Sequence, residues 1–461
     1  MTMDRPSRLH TMRGDVPGSV WPNLFSTKNA SLAALVAQLE DTQYWSVDTI
    51  EAAQRRQLLV LARHFEQHSS WFRERLAQSG LTVERLGEPG GLQKLPLLGR
   101  REAQALFATQ HVTDLPPGHA PVSRANTSGS TGEPVIVWKT AVNRLLWLGL
   151  QVRYYLWNEP DFGGKYCAIR ANHFRFGEED NWGAPMASLF DTGRLLMMSI
   201  ETDIHEQIKA LRDFGANSLL IYPSNLGWIL DALDQAGEDL PDLRRVHTLG
   251  ETLSSELVER ARADHNLTLC DNYSTDEVGY VALQCPDGEG YHVMAETLIV
   301  EVLRDDGSAC APGEVGRVAI TDLHNHATPL FRYLIGDMAE AGQPCVCGRG
   351  LPTLGRIQGR TRNMIVKPDG TRHWPLVGNK GFRDIAPITQ FQFIQTSREA
   401  IEVRLATDRP PTPSEEEALT KHIHDKLGHS FALDFSYWKD GIPLGPNGKF
   451  EEFKSLIAGE P

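Results

Sequence analysis

The chain has 461 residues, 41% hydrophobic and 23% charged, which is the composition of a globular protein too long for one ordinary core; two or three domains are expected. A formal net charge of −13 argues against a nucleic-acid-binding or anionic-membrane-binding surface, so a polyanionic ligand would have to be met by local donors and a metal cation. The N-terminal stretch lacks the apolar core of a signal peptide, no apolar run approaches the roughly 20 residues of a spanning helix, and the six cysteines are too sparse for a disulfide scaffold, so a cytoplasmic setting is expected.

Residues 1–30 read as a polar surface arm. From Ser31 to Gln78 the apolar spacing is helical, carried by Leu32, Leu35, Val36 and Leu39 and then by Leu58, Leu61, Phe65, Trp71 and Leu76. Leu92–Gly99 reads as a turn into a short helix containing Glu102–Phe107. The stretch Thr127-Ser128-Gly129-Ser130-Thr131-Gly132-Glu133-Pro134 then places hydroxyls and glycines before the strand-like Pro134–Trp138. Glycines allow close backbone approach and successive amides can cradle an anion, so the loop suits a polyphosphate. It is not a Walker loop, because no Lys follows the second Gly. Taken alone, such a cluster is also an ordinary surface turn.

Beyond it, helices and strands alternate. Ala141–Asn158 reads as a helix, Tyr166–Arg170 as a buried strand, and His205–Phe214 as a helix before the strand Ser218–Tyr222. A helix over Leu226–Gln235 leads to the strand Arg245–Leu249, and a helix over Glu256–Ala263 leads to the strand-like run Leu267–Tyr273. This alternation implies parallel βα units, in which ligands collect beyond the carboxyl ends of the strands. The residues ending the strands are therefore expected to share one crevice. From Gly290 to Thr321 short alternating strands form an antiparallel layer, including Leu298–Val302 and Gly316–Ile320. The last hundred residues alternate Phe391–Thr396 and Ala400–Ala406 with a helix over Ser414–Leu427, an α+β module of their own.

The order of the strand-end motifs resembles the acyl-adenylate-forming superfamily of ligases, and within it the phenylacetate–CoA ligase branch. The resemblance implies an α/β fold with a large N-terminal domain, residues 1–360, built of parallel βα sheets plus a small β layer, and a small mobile α+β lid, residues 361–461. It assigns Thr127, Ser128, Gly129, Ser130, Thr131 and Gly132 to the phosphates of ATP. Gly250, Glu251 and Thr252, in the run His247–Thr252, would cup adenine; Asn272, Tyr273, Ser274 and Thr275 would form the aromatic motif, with Tyr273 stacked on the base. Glu277 would hold Mg2+, with Asp276 as a second carboxylate on that side. Asp337, in Phe331-Arg332-Tyr333-Leu334-Ile335-Gly336-Asp337, would take the ribose hydroxyls. Arg360 would precede the hinge, and Lys449, in Pro446-Asn447-Gly448-Lys449-Phe450, would reach the reacting carboxylate and α-phosphate. The acid pocket is expected from Asn172, His173, Trp182, Tyr222 and Ser224.

The chemistry needs these types. A carboxylate attacking a phosphate brings anion to anion, so the site must supply a cation and donors; no general base is required because the carboxylate is already ionised near neutral pH. A second constellation, Cys285 and His292 with Cys345 and Cys347, has four thiolate or imidazole donors suited to tetrahedral Zn2+ with no open position, and some members of the same branch carry a structural zinc in a similar arrangement. The same residues also read as buried thiols beside a surface histidine.

The expected activity is an AMP-forming acid–thiol ligase: a carboxylic acid, aryl or arylalkyl, is activated as acyl-AMP and passed to CoA. Two alternatives stand beside it. The acyl group could pass to an amine or carrier protein, or AMP to an acceptor; or the chain could be a non-catalytic nucleotide-binding relative. The partners expected are thus the acid, ATP and an acceptor, with no nucleic acid and no membrane; a homodimer is admitted but not required.

Overall fold

The structure is a computed structural model and describes residues 8–109, 111–126, 134–159, 161–171, 176–360, 363–373, 381–439, 441–443 and 450–457. The chain divides into two compact units: Met1–Ile335 with Ala339–Ile357, and Gly336–Met338 with Gln358–Pro461.

The first unit opens with three helices, Thr27–Thr42, Val47–His68 and Ser70–Gln78. Their buried faces carry the apolar residues spaced along the sequence: Leu32, Val36 and Leu39 on one, Leu58, Leu61 and Phe65 on the next. The helix Ala141–Asn158 starts at a capping box, in which Thr140 and Asn143 each accept from the other's backbone amide. Its inner face buries Leu150, Val152, Tyr154, Tyr155 and Trp157 against the sheet.

That sheet has six strands in the order Gly177–Glu179, Leu195–Ser199, Tyr166–Arg170, Ser218–Ile221, Arg245–Thr248, Thr268–Cys270. All neighbours pair in parallel except Gly177–Glu179, which runs antiparallel to Leu195–Ser199. Gly177–Glu179 is wholly exposed, so its polar sequence carried no strand signal. The run Leu267–Tyr273 is not one strand. It breaks at Asp271: Thr268–Cys270 closes the parallel sheet, and Asn272–Thr275 begins another. The β-prone residues on both sides hide the break, and no Gly or Pro marks it.

The second sheet has seven strands in the order Leu298–Leu303, Val315–Asp322, Tyr333–Ala341, Thr353–Arg360, Tyr291–Val293, Gly279–Gln284, Asn272–Thr275. Leu298–Leu303 and Val315–Asp322 pair antiparallel, as the alternation predicts. A short hairpin, Ser123–Asn126 with Ile136–Lys139, frames the hydroxyl-rich loop; the loop itself lies outside the described residues.

Arg332 is a structural keystone of the first unit. Its guanidinium makes a two-pronged pair with Glu301, both contacts at 2.9 Å, and donates to the carbonyls of Gln93 and Leu95 at 2.6 Å each. It sits at φ +49°, a left-handed backbone unusual for this residue type, and is almost fully buried. Arg332→Ala strands the largely enclosed Glu301 charge and two carbonyls. It should cost about 3–5 kcal/mol, measured by denaturant unfolding, whereas a purely surface role would leave the midpoint unmoved.

In the second unit a four-stranded sheet, ordered Ala432–Trp438, Ala400–Thr407, Ile388–Gln395, Phe453–Ser455, packs on the helix Pro413–Leu427 through Phe391, Phe393, Val403, Leu419 and Ile423. That helix has a Thr412–Glu415 capping box and ends at left-handed Gly428. Among the described residues no helix is long and apolar enough to cross a membrane.

Candidate functional site

The carboxyl ends of the parallel strands place three of the expected residues together. The Ala171 amide donates to the Tyr222 hydroxyl at 3.5 Å. Pro223 opens the helix Pro223–Ala236, where a missing amide hydrogen costs nothing, and the Ser224 amide donates to the Glu251 carboxylate at 2.9 Å. An acid at a helix N-terminus is favoured by the exposed amides there. The Ser224 hydroxyl is buried with no hydrogen-bond partner among the described residues, so an acceptor or donor is wanted from a ligand or water. Gly250 and Thr252, flanking Glu251, are exposed.

Next to this end lies a polar wall at the junction of the two sheets. Asp271 is buried; Thr248 donates to its Oδ1 at 2.5 Å and Tyr291 donates to its Oδ2 at 2.7 Å. Burial raises its pKa to about 6, a rise that these two hydrogen bonds oppose. The Asn272 side-chain Nδ2 donates to the Thr248 carbonyl at 2.9 Å, and its Oδ1 is left buried with no partner among the described residues. Tyr273 is buried in the core that includes Val135, Val137 and Val281, Ser274 is exposed, and the Thr275 hydroxyl accepts from the Val278 amide at 3.4 Å. Asp271 and Tyr291 were missed in the sequence. The one available signal was a carboxylate closing the apolar run Leu267–Cys270.

Of the two adjacent acids, Glu277 is buried and Asp276 exposed. Lys139, the last residue of the strand after the loop, is a further group the sequence reading passed over. Burial pulls its ammonium below the usual lysine range, opposed by the carboxylates of Asp322, Asp276 and Glu277. In the second unit, Arg360 Nε stands 3.7 Å from Asp337 Oδ1.

The four residues of the cysteine–histidine constellation converge. Their ligand atoms all lie within 4.8 Å of one another, so the cluster could hold a metal ion. Cys285 Sγ is 3.7 Å from Cys345 Sγ, and Cys347 Sγ is 3.2 Å from His292 Nε2. The first spacing is far beyond a disulfide of about 2.05 Å. It matches two thiolates held at about 2.3 Å from one tetrahedral ion. Antiparallel pairing of Tyr291–Val293 with Thr353–Arg360 brings the two halves together across the sheet. The other ring nitrogen of His292 faces the Leu351 carbonyl at 3.4 Å, which leaves Nε2 turned to the sulfurs. Burial pushes this imidazole down to about 4, so it is neutral, as a ligand must be.

Thr127, Ser128, Gly129, Ser130, Thr131 and Gly132, with Asn172, His173 and Lys449, lie outside the described residues. Trp182 is placed elsewhere than the strand ends. Its ring packs 4.7 Å from that of Tyr166, the first residue of its strand, and its indole donates to the Gly164 carbonyl.

Residues 379–455 match the family model of the CapK C-terminal domain. The chain is 22% identical to the phenylacetate-coenzyme A ligase of Pseudomonas putida over 342 residues, 72% of this chain and 75% of that one. It is 23% identical to the phenylacetate-coenzyme A ligase of Escherichia coli K12 over 341 residues, 71% and 75% of the two chains. Among solved structures, that of 2-hydroxyisobutyryl-CoA ligase in the postadenylation state with 2-HIB-AMP superposes with a TM-score of 0.68 at 13% identity, covering 88% of this chain and 89% of that one. The two chains therefore share a fold.

Proposed function

We propose that this chain, a homologue of the phenylacetate–coenzyme A ligases built on the fold of an acyl-CoA ligase, joins a carboxylic acid to coenzyme A with cleavage of ATP. The observation that carries the reading is the similarity to enzymes of that activity over 72% of the chain. A carboxylate oxygen attacks the α-phosphorus of ATP and pyrophosphate leaves; the thiol sulfur of CoA then attacks the acyl carbon and AMP leaves. The enzyme is an AMP-forming acid–CoA ligase.

Residue roles follow from the geometry and the residue types. Asn272 Oδ1, an acceptor without a partner among the described residues, suits the exocyclic amine of adenine. Asp337 suits the two ribose hydroxyls. Buried Glu277 suits Mg2+, which when bound would neutralise charge on the phosphates. Lys449 supplies the point charge that lets carboxylate meet phosphate. Tyr222 and Ser224 line the acid side, where an aromatic ring beside a hydroxyl fits an aryl or arylalkyl acid.

Cys285, His292, Cys345 and Cys347 are assigned to structural zinc, since four soft or borderline donors leave no open position for chemistry. None of the six cysteines is paired in a disulfide, in keeping with a cytoplasmic setting.

The test is release of pyrophosphate and AMP over a panel of carboxylic acids, with and without CoA. AMP release that needs both acid and CoA supports the ligase. Acid-dependent pyrophosphate exchange with no response to CoA, but turnover with an amine or carrier protein, would redirect the second half-reaction.

A further inference from the structure

We propose that Asp271 is a positioning residue for the nucleotide: with Thr248 and Tyr291 its carboxylate clamps the two sheets together at the wall that would receive adenine. The proposal rests on the nucleotide reading above and deepens it.

Asp271 is the residue at which the chain leaves one sheet and enters the other. Each of its carboxylate oxygens is held from a different side. Thr248 ends a strand of the parallel sheet, and Tyr291 begins a strand of the seven-stranded sheet. Its backbone is tied as well: the Asp271 amide donates to Gln284 Oε1 at 2.7 Å, and the Gln284 amide donates to the Asp271 carbonyl at 3.2 Å. The consequence reaches the next residue. Thr248, fixed by Asp271 through its hydroxyl, fixes the Asn272 side-chain amide through its carbonyl, and that contact sets the place of Asn272 Oδ1, which has no partner among the described residues.

A neutral spacer would fill this position at less cost, because burying a carboxylate is unfavourable unless its oxygens are engaged. What the charge adds is two short, directional, charge-assisted bonds, which hold a geometry more tightly than neutral ones. Tyr291 precedes His292 on the same strand, so the segment carrying a ligand of the metal cluster also carries one jaw of the clamp.

Protonation should weaken it. Both hydroxyls donate to the carboxylate; a proton on either oxygen reverses that bond, the carboxyl O–H donating to the Thr248 or Tyr291 hydroxyl, and replaces a charge-assisted contact with a neutral one. The neighbouring titratable groups are Tyr154, Cys270 and Tyr291, and burial drives all three upward, so they stay neutral. Among these neighbours Asp271 is the group whose charge changes near pH 6.

The experiment is calorimetric titration of the full chain with Mg–ATP at several values between about pH 5 and about pH 8, with thermal unfolding of each variant alongside. Wild type should bind less tightly as pH falls below about 6, the value to which burial raises Asp271. Tyr291→Phe should weaken binding roughly tenfold near neutrality. Because it removes a bond to the charged form, its acid limb should also move to higher pH. Asp271→Asn, close in shape, should lose the acid limb altogether.

Unchanged affinity and limb in Tyr291→Phe, or an acid limb persisting in Asp271→Asn, overturns the clamp while leaving the nucleotide reading intact. If wild type binds no ATP at any pH, the nucleotide reading falls and the clamp with it. Should Tyr291→Phe unfold, the pH profile of Asp271→Asn decides by itself.

Discussion

Lys449→Ala is expected to lower acid-dependent pyrophosphate exchange by roughly 10²- to 10³-fold, with Mg–ATP binding and thermal unfolding close to wild type. The effect is electrostatic. The chain carries a net charge of −13, and the loop Thr127–Pro134 offers amides and hydroxyls but no cation. A carboxylate approaching a triphosphate in that setting needs positive charge that acts on the transition state, and Lys449 closes the one C-terminal segment, Pro446–Phe450, that resembles the family's lysine motif. A loss confined to turnover would mark Lys449 as acting on the reacting atoms. Exchange at the wild-type rate would remove it from the chemistry.

Loss of the metal should be as severe for the fold. Protein isolated without chelator is expected to hold about one zinc per chain, and Cys347→Ser should lose the ion with a cost above about 4 kcal/mol. The cluster sits beside contacts that reach across the first unit. Arg349, two residues past Cys347, donates to Gln43 Oε1 at 2.9 Å; Gly350 donates to the Gln43 carbonyl at 2.9 Å; Trp157 donates to the same Gln43 side chain at 2.9 Å. The Arg349 guanidinium also lies over the Trp157 ring at 4.3 Å. Without the ion, the buried Cys285 thiol and His292 imidazole lose the centre they share with Cys345, and these supports loosen. Metal-free protein whose Cys347→Ser variant melts at the wild-type temperature contradicts the assignment.

Much of the architecture could be read from residue spacing. The helix Ala141–Asn158 and the strand Tyr166–Arg170 have the bounds their patterns predict, because one has a capping Thr140 and a continuous apolar face and the other is buried throughout. The convergence of Cys285, His292, Cys345 and Cys347 was legible for a chemical reason: few other roles call for those four donors at that spacing.

What escaped the sequence depends on tertiary pairing. The exposed Gly177–Glu179 is a strand because Leu195–Ser199 lies beside it, not because of its residues. The sheet change at Asp271 is set by partners more than a dozen residues away in either direction, Thr248 and Tyr291, and no local pattern encodes them. Trp182 shows the opposite failure. Its residue type suits a planar ligand, yet it fills the aromatic core around Tyr166 and Phe162.

Acid activation by ATP followed by transfer to CoA is tested by AMP formation across a panel of aryl and arylalkyl acids, each assayed with CoA present and absent. At least one acid should give AMP and an acyl-CoA product only when acid, ATP and CoA are all present, with pyrophosphate exchange supported by that acid alone. ATP bound but never cleaved, whatever acid and acceptor are supplied, would contradict it and leave a nucleotide-binding protein without ligase chemistry.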